Sequence, residues 1–140
     1  MSPECYLLDT SALMALIEDE PGADRVEQII SQGRAVLPWP VLLEIYYMTR
    51  REHGQAEADR RYALASKLKA QVIWRMDEQI LLTAGRLKAE HRISFADALI
   101  AAFALREGAT LVHKDPEYDA LANAVDMERL PYRIRQSIGN

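Results

Sequence analysis

A chain of 140 residues, 49% hydrophobic and 27% charged, has the composition of a globular domain of ordinary size, which argues against disordered, collagenous and membrane classes. The net charge of −4 argues against a protein that coats nucleic acid non-specifically, since that affinity needs positive surface, although a locally basic groove is compatible with it. The single cysteine, Cys5, cannot close an internal disulfide, and with three scattered histidines it cannot build a structural zinc site, so a reducing cytoplasm is the expected setting.

The first residues show no basic stretch leading into an apolar run and a small-residue cleavage site, and no run approaches the roughly 20 apolar residues of a membrane span. Neither export nor insertion is expected. No repeat, low-complexity tract or separating linker interrupts residues 1–140, which are expected to form one domain.

In chain order, Cys5 to Leu8 is a short apolar strand candidate, and Thr10 to Glu18 suits a helix that ends before the turn signal Pro21-Gly22. Val26, Ile29 and Ile30 recur at helical spacing, Gly33 stops that helix, and Ala35 to Leu37 reads as a second strand. Pro38 and Pro40 bracket Trp39, and Pro40 suits the first helical position, where its missing N–H goes unneeded; the helix runs from about Val41 to Glu52. Gln55 to Lys69 is polar with helical period, Val72 to Trp74 reads as strand, and Asp77 caps a helix with Ile80, Ala84 and Leu87 on one face. Ser94 with Asp97 resembles a capping box that opens a very apolar helix through Leu105, closed by Gly108. Thr110 to Val112 is a strand, Pro116 to Leu121 a short helix, and Val125 to Leu130 a last strand. This alternation predicts an α/β fold of three layers, α/β/α, around a central, mainly parallel sheet of four to five short strands. Ligands in such folds bind beyond the carboxyl ends of the strands, where the strand order switches.

Four acids stand at positions that suit that crevice. Asp9 directly follows Tyr6-Leu7-Leu8, where it either faces the crevice or caps the next helix. Glu44 shares a helical stripe with Val41, Ile45 and Met48, so its carboxylate either faces inward and needs a compensating partner or reaches water from the stripe's edge. Asp97 is the one charged residue in SFADALIAAFAL, a segment apolar enough to be buried on nearly every side; its alternative role is in the helix cap. Asp115 follows Thr110-Leu111-Val112, and Asp115-Pro116 alone would be an ordinary turn. A doubly wound topology brings all four to one sheet edge. Carboxylates that close together repel unless a cation neutralises them, and hard oxygen donors select Mg²⁺ or Mn²⁺. The chemistry natural to such a centre is phosphodiester hydrolysis.

The segments LLDTSALMALI, LLEIYY, SFADALIAAFAL and TLVHKDPEYDAL, in this order and spacing, resemble the PIN-domain family over nearly the whole chain, and within it the small VapC-type toxins of toxin–antitoxin pairs. The resemblance implies a single PIN-like nuclease domain over residues 1–140, with Asp9, Glu44, Asp97 and Asp115 as its metal-site acids, Ser11 supporting the first and Glu117 as a further acid. It also implies a homodimer, a small antitoxin whose tail occupies the active site, and RNA cut to leave a 5′-phosphate. Two positions depart from the family's pattern. His113 stands where Thr or Ser is frequent, and Tyr118 where Phe often follows the last acid.

Arg50, Arg51, Arg60 and Arg61, with Lys67, Lys69 and Arg75, offer a basic rim for RNA; the competing arrangement is a solvated helix face with pairs such as Glu57 with Arg61. Cys5 reads as a buried small hydrophobe and not a nucleophile, Trp39 and Trp74 as core, and Tyr46, Tyr47 and Met48 as core or dimer contacts. His113 is expected to be partly exposed at a strand end, with a proton-shuttle role beside Asp115 as the sharper alternative. Two rival functions remain: a non-catalytic RNA- or protein-binding module of the same fold, and a receiver-like signalling domain using Lys114. The second needs a phosphoacceptor acid after the third strand, where Arg75-Met76-Asp77 stands.

Overall fold

The computed structural model describes residues 4–132. Five strands form one sheet: β1 (Tyr6–Leu8), β2 (Ala35–Pro38), β3 (Ala70–Ile73), β4 (Thr110–His113) and β5 (Met127–Arg129). The helices are α1 (Thr10–Ile17), α2 (Ala23–Ser31), α3 (Trp39–His53), α4 (Gln55–Ser66), α5 (Glu78–Glu90) and α6 (Phe95–Glu107), with a 3₁₀ segment at Pro116–Leu121. The strand order is β3-β2-β1-β4-β5, every pairing is parallel, and the flanking helices complete three α/β/α layers as expected. Among the described residues no helix is long and apolar enough to cross a membrane.

Central β1 is buried at all three residues, as a parallel strand with both faces covered must be. Its register pairs Tyr6 with Ala35 on one side and with Thr110 on the other. The chain leaves β1 toward β2 and later returns to β4, so the strand order switches between β1 and β4. Asp9 and Asp115 follow the carboxyl ends of those two strands.

Local chemistry sets the helix ends. Gly22, at φ 101, turns the chain into α2, and Gly108, at φ 60, ends α6 in the left-handed conformation that glycine adopts without a Cβ penalty. Asp77 caps α5 by accepting from Ile80 N at 2.9 Å, and its other oxygen holds the Arg106 guanidinium at 2.7 Å. The capping box expected at Ser94 is only half made. Ser94 Oγ accepts from Asp97 N at 3.1 Å, but Ser94 N donates to Glu117 Oε1, which leaves the Asp97 carboxylate free to point elsewhere.

Several expectations are corrected. Strand β3 ends at Ile73, so Trp74 lies beyond it and is 61% exposed instead of in the core, whereas Trp39 is half-buried against the core. Cys5 precedes β1 and is half-buried, with Sγ near Glu107 O and its thiol pushed up by burial. His113 is 1% exposed, because β4 extends one residue further than the apolar run suggested.

Candidate active site

The carboxyl ends of β1 and β4 open into a cavity of about 630 Å³ lined by Asp9, Ser11, Glu44, Asp97, Lys114 and Asp115 among others. Four separate elements supply the acids. Asp9 comes from the end of β1, Glu44 from the second turn of α3, Asp97 from the first turn of α6 and Asp115 from the loop after β4.

Asp9 does both things the sequence allowed. Its Oδ1 accepts from Ala12 N at 3.0 Å, capping α1, and from Ser11 Oγ at 2.6 Å. Ser11 Oγ in turn accepts from Lys114 N at 2.8 Å, which ties the β1 end to the β4 end across the switch. Burial pushes the Asp9 carboxyl up to about 7 against these hydrogen bonds, with the Asp97 and Asp115 charges adding to the rise. Asp97 is likewise raised to about 7, chiefly by burial and then by Glu117, Asp115 and Glu44, while the hydroxyl of Tyr118, donating to its Oδ1 at 3.0 Å, opposes the shift.

Glu44 is half-buried, and its Oε1 accepts from Thr10 Oγ1 at 2.5 Å. Asp115 Oδ1 accepts from Glu117 N at 2.9 Å. One carboxylate oxygen from each of Asp97, Asp115 and Glu117 lies within 4.8 Å of the others, and Asp9 and Glu44 line the same cavity. Among the described residues neither Asp9 nor Asp97 pairs with a Lys or Arg. The nearest candidate, Lys114, spends its ammonium on Pro21 O at 2.8 Å and Glu20 at 3.5 Å. A crowded set of hard oxygen donors without a protein cation is the donor chemistry that a divalent ion such as Mg²⁺ or Mn²⁺ satisfies.

Burial pushes the His113 pKa down, and its Nδ1 accepts from Asp115 N at 3.2 Å, so the ring positions the loop that carries Asp115. The basic rim loses a member. Arg61 is buried and donates to Glu57 Oε2 at 2.8 Å, and Arg60 makes two hydrogen bonds to the same carboxylate, which holds Glu57 down at about 2. Arg50 and Arg51 remain exposed, with Arg51 over the Tyr47 ring. A receiver-like site finds no support, because Asp77, the acid after β3, is engaged by the α5 cap and Arg106.

Two groups at this site escaped sequence reasoning. Thr10 meets Glu44 from 34 positions away, a pairing that no local pattern encodes. The Tyr118 hydroxyl had a signal, since a Phe would have filled the same space without a donor.

Comparison with known proteins places these features in context. The family profile described as PIN domain matches residues 6–124. No curated protein matches the chain. Among solved structures, VapBC2 from Rickettsia felis, bound to a promoter DNA fragment, aligns with a TM-score of 0.74 at 19% identity, covering 91% of this chain and 99% of that one. VapBC-1 from nontypeable Haemophilus influenzae aligns at 0.68 and 23% identity, covering 89% and 97%. VapC20 from Mycobacterium tuberculosis, described as a toxin that cleaves the sarcin–ricin loop, aligns at 0.69 and 19% identity, covering 90% and 99%. At these identities the structural likeness speaks to the fold.

Proposed function

This chain belongs to the PIN-domain family, and from that premise we propose that it is a divalent-metal-dependent endoribonuclease, the toxin of a type II toxin–antitoxin pair, acting in the cytoplasm as one nuclease domain and as a homodimer. The observation that carries the proposal is the convergence of Asp9, Glu44, Asp97 and Asp115 on one cavity at the strand-order switch, with no lysine or arginine to neutralise Asp9 or Asp97 among the described residues. The VapBC neighbours support the toxin role and a small antitoxin partner.

In this mechanism Asp9, Glu44, Asp97 and Asp115 hold Mg²⁺ or Mn²⁺, with Glu117 as a further acid beside Asp115. When bound, the ion lowers the pKa of a water and neutralises charge that develops on the scissile phosphate. Ser11 keeps Asp9 and the Lys114 backbone in register, and Thr10 fixes Glu44. His113 orients the Asp115 loop through its ring nitrogen. Arg50 and Arg51, exposed on the last turn of α3, are members of the basic rim that would meet the RNA backbone, beside the exposed Lys67, Lys69 and Arg75.

The deciding experiment is RNA cleavage by the purified chain with and without Mg²⁺ or Mn²⁺, beside Asp97→Asn. Cleavage that needs the metal and vanishes in the variant, leaving 5′-phosphates, is the expected result. Metal-independent RNA binding without cleavage would instead favour a non-catalytic module of the same fold.

A further inference from the structure

Each acid of the site already has one oxygen engaged by the protein itself. Asp9 Oδ1 is taken by Ser11 and Ala12 N, Glu44 Oε1 by Thr10 with a long contact from the Tyr47 hydroxyl to its Oε2 at 3.5 Å, Asp97 Oδ1 by Tyr118, and Asp115 Oδ1 by Glu117 N. Most of these donors are backbone groups or close neighbours in sequence. Thr10 and Tyr118 reach across from distant segments, and Tyr118 is the more deeply buried of the two. It is fully buried, its ring lies 4.9 Å from that of His113, and its hydroxyl crosses from the 3₁₀ segment to the first turn of α6 to reach Asp97 at 3.0 Å. A ring held by its packing leaves the hydroxyl no other direction, so the Asp97 carboxylate is held in one rotation.

We propose that Tyr118 is a positioning residue whose hydroxyl holds one oxygen of Asp97, so that Asp97 offers a divalent cation a single oxygen and the site favours a compact octahedral ion over Ca²⁺. The proposal rests on the metal-site reading above and specifies its selectivity. Mg²⁺ and Mn²⁺ are satisfied by one oxygen from each carboxylate in an octahedron completed by water, whereas Ca²⁺ takes six to eight oxygens and commonly both from one carboxylate. Bidentate binding here would require Asp97 to turn and abandon the phenol. A buried carboxylate oxygen stripped of its donor is costly, so the hydrogen bond opposes that turn.

Tyr118→Phe keeps the ring and removes only the donor. Calorimetric titration of the full chain with MnCl₂ and with CaCl₂, at one pH, reads the effect without any cleavage assay. Wild type should bind Mn²⁺ more tightly than Ca²⁺, and the variant should lose about 10-fold or more in Mn²⁺ affinity, the usual scale when a supporting hydrogen bond is removed, with Ca²⁺ affinity kept or increased. Equal losses for both ions would mean that the phenol acts only on the charge of Asp97, and would overturn the proposal, as would an unchanged Mn²⁺ affinity. Should Tyr118→Phe fail to fold, Tyr118→Met, which fills the space with a flexible side chain and also lacks the donor, makes the same test, and an unaltered preference for Mn²⁺ counts against the proposal. Wild-type protein that binds neither ion would sink the metal-site reading itself, a result distinct from a variant without effect.

Discussion

Asp9 is a charge stored where charge is disfavoured, and its protonation should be readable in the stability of the metal-free protein. Its carboxyl is raised from 3.8 to about 7 in the fold, as is that of Asp97. The folded state therefore binds more protons than the unfolded chain between those values, and stability falls as pH rises through this window, reaching its full penalty above about 7. His113 works the other way, since its depressed pKa costs stability as pH drops below its ordinary 6.5, so it offsets part of the carboxylate slope below that pH and none of it above. Thermal melts of metal-free protein should show a melting temperature that falls from about pH 5 to pH 7 and levels off above, and saturating Mn²⁺ should flatten the fall; a flat metal-free profile would contradict the buried-charge account. Asp97→Asn should raise the metal-free melting temperature at pH 8 while removing metal binding. A second expectation concerns Thr49, whose fully buried hydroxyl has no hydrogen-bond partner among the described residues. Thr49→Val should stabilise the fold by about 1 kcal/mol in chemical denaturation. At this scale Asp9 and Asp97 were legible because a lone acid among apolar residues needs a reason. Buried His113 and exposed Trp74 were not, since each turned on where a strand ended by a single residue.

The punctuation of the elements was well marked in sequence. Pro21-Gly22, the Asp77 cap and Gly108 each do locally what their chemistry dictates. Gly22 is the most constrained, because a Cβ there would lie 3.0 Å from Leu130 Cβ in addition to the strain of φ 101. Gly22→Ala should therefore cost on the order of 1–2 kcal/mol, measured by denaturant midpoint. The half-made capping box shows the limit of local patterns. Ser94 and Asp97 have box spacing, yet Glu117 from a distant segment takes the Ser94 N–H, and no spacing rule foresees a competitor 23 residues away. The same applies on α4, where the Glu57 pairing removes Arg61 from the surface. Reversing Arg50 and Arg51 to Glu should weaken RNA binding and flatten its salt dependence, the log–log slope falling by about one for each arginine that no longer meets a phosphate. Arg61→Ala should instead lower the melting temperature, because its buried stem and ion pair serve packing.

For the molecule as a whole, alternating strands and helices were enough to fix the layers and the edge where ligands bind, because parallel strands require helical crossovers. Surface character was less legible. Phe95 on α6 is 76% exposed, and Leu43 on α3, Leu81 on α5 and Trp74 and Met76 in the loop before α5 are exposed apolar residues as well. If the proposed homodimer buries Phe95, Phe95→Glu should convert it to a monomer in light scattering, with the fold intact by circular dichroism. The acid-lined cavity carries one last implication, for the order of events. A chain of net charge −4 that gathers eight carboxylates in and around one recess repels the polyanion that the proposed nuclease must cut there. For the proposed nuclease this puts the ion before the RNA in the order of arrival, and chelation should empty the recess of nucleic acid as well as halt the reaction.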